Sequence, residues 1–154
     1  MKNKWSVIGA AGLGILLGAA GAAAHSYNPL KWIKKPTASQ QLAANSAEEK
    51  KLTLELQALL PPHTTLKDTC TAFKSLDDCV ASLHAGRNLN IKFNCLKWNM
   101  TAVRPSGDVK SCEAPPKALP LSKAIHALKP DADAKTESRN AERRAHEDIK
   151  DASS

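Results

Sequence analysis

Glycine is almost missing from the body of this chain. Five of its seven glycines lie in the first 24 residues, and only Gly86 and Gly107 follow. That removes any glycine-rich loop able to cradle a phosphate through successive backbone N–H groups. Four cysteines are present but no Cys-x-x-Cys pair, so zinc-ribbon and thioredoxin-like arrangements lose their signature. No His-x-x-x-His spacing exists: His25, His63, His84, His126 and His146 fall one to a segment. No stretch reads as a strand, and no internal repeat is visible. Paired carboxylates do occur, as Glu48-Glu49, Asp77-Asp78 and Glu147-Asp148, but each sits near a helix start or on a polar face. These absences leave no catalytic residue, no metal ligand and no cofactor to nominate.

What is present begins with the N-terminus. A short basic start, Met1 to Lys4, leads into an uncharged run from Trp5 to Ala24, which exits through Ala22-Ala23-Ala24 into polar His25-Ser26. That order is a secretory signal. The alternative is an uncleaved anchor in the inner membrane over residues 5–24. Val7 to Ala24 is 18 residues, and a span needs roughly 20. Gly14 and Gly18 would give such a helix a small-residue face. The run is rich in Ala and Gly rather than Leu and Ile, which favours export with cleavage.

Charge and cysteine content agree with export. The chain has 22 basic and 15 acidic residues, and without Lys2 and Lys4 the remainder is 20 against 15, a net +5. Part of the excess sits in Lys31, Lys34 and Lys35, beside Tyr27 and Trp32, a mixture able to lie on a membrane interface. So mild a basic excess also suits an anionic envelope polymer or plain solvation. An even cysteine count behind an export signal favours two disulfides over free thiols.

The chain divides at composition changes into four parts. Residues 1–24 are signal or anchor, and 25–45 a lead-in broken by Pro29 and Pro36. Residues 46–130 are a helical domain holding all four cysteines, and 131–154 a polar helical tail. Within the domain, Ser46-Ala-Glu-Glu49 reads as a capping box, followed by Leu52, Leu56, Leu59 and Leu60 on one helical stripe and a stop at Pro61-Pro62. Thr64-Thr65 can cap a short helix from Leu66 to Phe73. Ser75 starts another, with Asp77 and Asp78 in its first turn and Gly86 as its end. Asn90 can cap a third, carrying Phe93, Leu96 and Met100. The stretch from Val103 to Pro120 holds four prolines and no periodicity, so it is a loop tied down by Cys112. Leu121, Ala124, Ile125 and Leu128 make one more short helix. Asp131 or Asp133 can cap the last, whose line of Ala141, Ala145 and Ile149 buries little area and predicts an exposed, frayed element. The fold class is therefore all-α: a small bundle of short helices with a disulfide-tied loop.

Intervals of 8, 15 and 16 residues separate Cys70, Cys79, Cys95 and Cys112. Cys70 and Cys79 fall on consecutive short helices, where a hairpin can bring them within bridging distance. The proline-rich loop needs a tether, which Cys95 can give to Cys112. The expected pairs are thus Cys70–Cys79 and Cys95–Cys112.

Two active readings compete with this structural one. His84, near the expected end of its helix and close to Cys79, could serve a hydrolase-like enzyme, but a C-terminal imidazole facing the helix dipole is the simpler role. The helix, turn and helix from Ser75 to Met100 has helix-turn-helix proportions, with Arg87, Lys92 and Lys97 as cations. Its second helix is apolar in bulk and carries Cys95, which disfavours nucleic acid as a partner.

The sequence Cys79-Val-Ala-Ser-Leu-His84, with Phe73 before it and Asn88, Leu89, Ile91, Phe93, Leu96, Lys97, Met100 and Thr101 after it, then Leu121 to Pro130, resembles a group of small exported bacterial proteins of unknown function. The likeness runs from about Leu52 to Ile149 and rests on a helical pattern. It implies a small, exported, mostly helical protein and transfers no activity or site residue. The expectation is an exported envelope protein, periplasmic or secreted, acting as a non-enzymatic interaction or structural module. Its partner would be a protein or envelope component, with a membrane surface as the alternative.

Overall fold

The computed structural model describes residues 35–154, which fold into seven α-helices and no strand. The candidate span over residues 5–24 and the membrane-interface residues Tyr27, Lys31, Trp32 and Lys34 lie outside the described residues. Among those described, no helix is long and apolar enough to cross a membrane.

The first helix, α1 (Ala38–Ala44), falls in the segment read as a lead-in. It is part of the core: Ala38 and Leu42, one turn apart, are buried. The capping-box interaction expected at Ser46 occurs here instead, with the Gln40 side chain accepting from the Thr37 N–H at 2.9 Å. Helix α2 (Ser46–Leu56) is capped by Asn45 rather than Ser46, the Asn45 Oδ1 accepting from the N–H groups of Ala47 and Glu48. An asparagine amide one position earlier meets the same orphan donors as a serine hydroxyl. Leu52 and Leu56 are buried as the stripe predicts, and Leu59 and Leu60 pack on them.

Helix α3 (Leu66–Thr69) is a single turn, capped by Thr65 and shorter than the predicted run to Phe73. A turn with Ala72 in the left-handed region (φ 75°) ends it and reverses the chain. Helix α4 (Leu76–Leu89) is the centre of the molecule, with eight of its fourteen residues buried. Ser75 caps it through the Asp78 N–H at 3.1 Å. It does not end at Gly86. Gly86 is buried inside the helix because the chain folds back over it, and a Cβ there would lie 3.1 Å from the Ile91 carbonyl oxygen. The left-handed residue that ends α4 is Asn90 (φ 53°, ψ 42°), so Asn90 stops one helix rather than starting the next.

Helix α5 (Phe93–Thr101) begins after Lys92 and buries Cys95, Leu96 and Asn99. A loop over 102–120 leads to α6 (Leu121–Leu128), which buries Leu121, Ala124 and Ile125. Helix α7 (Ala134–Ala152) is capped by Asp133, whose carboxylate takes both the N–H and the hydroxyl of Thr136. Those bonds hold the Asp133 carboxyl below its ordinary range.

The tail helix is not the exposed element its composition suggests. Ala141 and Ala145 are completely buried, with Ser138 and Ala152 nearly so, and α7 makes its most extensive contact with α4. Small side chains bury little area each, but they allow two helix backbones to approach closely. Around this pair α1, α2, α5 and α6 complete the core. Leu52, Leu56, Leu66, Leu96 and Ile125 are its largest fully buried side chains, each worth about 1.5–3 kcal/mol of transfer free energy.

Candidate functional site

All four cysteines pair as the helix order predicts. Cys70, which closes α3, bonds Cys79 in the second turn of α4, with their Cα atoms 5.4 Å apart. Cys95, in the first turn of α5, bonds Cys112 in the loop, with Cα atoms 5.3 Å apart. The two bridges differ in setting. Both sulfurs of Cys70–Cys79 belong to fully buried residues, whereas Cys95 is 5% exposed and Cys112 is only half-buried.

Around Cys112 the loop is pinned at further points. Lys92 Nζ donates to the Asp108 carboxylate at 3.0 Å and to the Ser111 hydroxyl at 3.1 Å. The hydrogen bond from Lys92, then the backbone N–H of Lys110 and the Lys92 charge, hold the Asp108 carboxyl below its usual range. Val109 is buried, and the Leu119 N–H donates to the Asn99 carbonyl at 2.8 Å. Arg104 lies over the Trp98 ring, 5.5 Å from its centroid. The disulfide thus belongs to a set of contacts fastening an irregular segment onto α5.

His84 lies in the body of α4, not at its end. Its Nε2 is 2.7 Å from a carboxylate oxygen of Asp148 on α7, with the two side chains 12% and 29% exposed. The imidazole therefore fastens α7 to α4 and does not face a helix terminus. In covalent catalysis a His–Asp pair activates a nucleophile; Cys79, the nearest cysteine in sequence, is in a disulfide, and the nearer Ser82 hydroxyl donates to the Asp78 carbonyl. Asp148 was not singled out from the sequence. The available signal was a carboxylate on the same stripe as Ala141, Ala145 and Ala152.

The helix-turn-helix cations have other engagements. Lys97 Nζ donates to the carbonyls of Asp68 and Thr69 at the end of α3. Burial lowers its pKa from the ordinary lysine value, and the Asp68 charge offsets part of that. Lys92, just before α5, is engaged with Asp108 and Ser111 of the loop. Arg87 is exposed, while Phe93, Leu96 and Met100 pack on the core.

A cleft of about 370 Å³ opens between α1, α2 and the end of α7. Leu42, Leu52, Leu76 and Ile149 line it together with Glu48 and Glu49, and neither a histidine nor a cysteine does. Gln41 braces it, accepting from the Leu76 N–H at 3.2 Å and donating to the Pro36 carbonyl at 3.1 Å. Of the residues expected at a membrane interface, Lys35 alone is described, and it is exposed. Among the described residues, no group of three or more His, Cys, Asp or Glu is placed to hold a metal ion. Comparison with protein-family models, curated proteins and solved structures finds no match for this chain.

Proposed function

We propose that this chain is an exported envelope protein whose helical domain is a non-enzymatic interaction or structural module, acting on a protein or another envelope component. The observation that carries this reading is the pair of disulfides, which together use every cysteine of the chain. Such bridges persist in oxidising compartments and are rare where thiols are kept reduced. The basic start and apolar run at the N-terminus support the same location, as does the likeness to small exported bacterial proteins. The non-enzymatic part rests on His84: its imidazole is committed to Asp148 across a helix interface, and the cysteine nearest it in sequence is oxidised.

A reporter fused after Pro36 tests export. Activity on the far side of the cytoplasmic membrane is expected, and activity confined to the cytoplasm overturns the reading. The mass of the isolated protein then distinguishes release from anchoring. An N-terminus near His25 means a cleaved signal, and an intact Met1 or Lys2 in the membrane fraction means that residues 5–24 stay as an anchor.

A further inference from the structure

We propose that Cys95–Cys112 is an exchangeable disulfide, opened by thiolate attack on the Cys112 sulfur, which unlatches the 102–120 loop while Cys70–Cys79 and the helical core stay closed. Two independent observations carry this, and neither depends on where the protein resides.

The first is access. Thiol–disulfide exchange needs a thiolate to approach a sulfur, and exposed bridges are the labile ones. Cys70 and Cys79 are 0% exposed and Cys95 5%, so the half-buried Cys112 offers the one approach among the four.

The second is the fate of the electron pair. Attack at Cys112 places the leaving negative charge on Cys95, the third residue of the nine-residue α5. Unpaired N–H groups and the positive end of the helix dipole favour an anion in that first turn. The other bridge differs in access rather than in its leaving group. The carbonyls at the end of α3 are taken by Lys97 Nζ and by backbone N–H groups, and Cys79 is the fourth residue of α4, directly after Asp77 and Asp78. Access therefore selects the bridge, and access and leaving-group stabilisation agree on the direction of attack within it.

The step balances with a dithiol as co-reactant. Its thiolate bonds to Cys112 Sγ, the Cys95–Cys112 bond breaks, and Cys95 leaves as a thiolate that takes a proton from water. The second thiol of the reductant, as its thiolate, attacks the mixed disulfide and frees Cys112. The dithiol is oxidised to a disulfide and the protein gains two thiols. Apart from the buried Val109 side chain, what then holds the loop is weak. The Lys92–Asp108 pair is more than half exposed on both sides (56% and 64%), and such surface pairs contribute little. The Leu119 N–H bond anchors only the loop's end.

The experiment uses the full chain with glutathione and, separately, a dithiothreitol series, each quenched by alkylation and mapped by mass spectrometry. In the dithiothreitol series Cys95 and Cys112 are expected to label at concentrations at least about tenfold below those needed for Cys70 and Cys79, a difference of about 30 mV for a two-electron couple. At that point helical circular dichroism is unchanged and limited proteolysis cuts within 102–118. Glutathione is expected on Cys112, with Cys95 as the free thiol. Simultaneous opening of both bridges, or earlier opening of Cys70–Cys79, overturns the proposal. Glutathione found on Cys95 overturns the direction of attack.

Discussion

His84 and Asp148 come from residues 64 apart in the chain, and their contact sits where two helices meet. Removing either leaves the other with a hydrogen-bonding group turned into a mostly closed interface. Hydrogen bonds to charged groups are worth about 1.5–3 kcal/mol, and an unsatisfied buried partner costs about 1–3. His84→Ala and Asp148→Ala are therefore each expected to destabilise by about 1–2 kcal/mol in urea unfolding, and the double variant by less than the sum. Additive losses would show that the pair makes no coupled contribution. This exceeds what a solvent-facing imidazole at a helix end would give. Lys97 poses the reverse problem, because burial disfavours its charge and its folded pKa is lowered. Between that lowered value and the ordinary lysine value the unfolded chain binds more protons, so the Lys97 contribution to stability rises with pH in that window and is least favourable at neutral pH. Lys97→Met should remove this rise. The check is the difference in unfolding free energy between the two proteins from pH 7 to pH 10, which should shift against the variant as pH increases.

Helix α7 shows what a hydrophobicity pattern conveys and what it omits. Its start at Asp133 and the alanine line were legible in the sequence, as were the caps at Thr65 and Ser75 and the leucine stripe of α2. The depth at which α7 packs was not, because alanine is a weak signal of burial and a strong enabler of close approach. Ala141→Leu is expected to cost about 1–3 kcal/mol through overpacking against α4, with a lowered melting temperature as the readout. An unchanged midpoint would mean that the α4–α7 contact has room to spare. Helix α1 was missed for a related reason. Ala38 and Leu42 are its only buried residues, too few to set a period. Its place is fixed from outside, by Gln41 meeting the Leu76 N–H at the open start of α4. Gly86 misled in the other direction. It resembles a helix end, but only the later course of the chain, with the Ile91 carbonyl crossing over it, explains why a glycine stands mid-helix.

For the molecule as a whole, the disulfide pairs were the most legible feature of the candidate site, since helices short enough to form hairpins leave neighbouring cysteines little choice. The His84–Asp148 contact and the loop's anchorage through Lys92 depend on tertiary placement that no local pattern announces. Cross-linking a loop of ten residues removes chain entropy worth about 3 kcal/mol. The double variant Cys70→Ala, Cys79→Ala is accordingly expected to lose about 3 kcal/mol, measured by denaturant unfolding. A loss below about 1 kcal/mol would mean that strain in the native bridge cancels the entropic gain. The connectivity also bears on how the chain is made. Each cysteine bonds the next one along, at separations of 9 and 17 residues, so bridges close in order of appearance for a polypeptide emerging N-terminus first. Cys70 meets Cys79 before another cysteine has emerged, and once that bridge has closed Cys95 and Cys112 are left only each other, so an oxidant acting on the nascent chain reaches the native pairing with no isomerase to correct it.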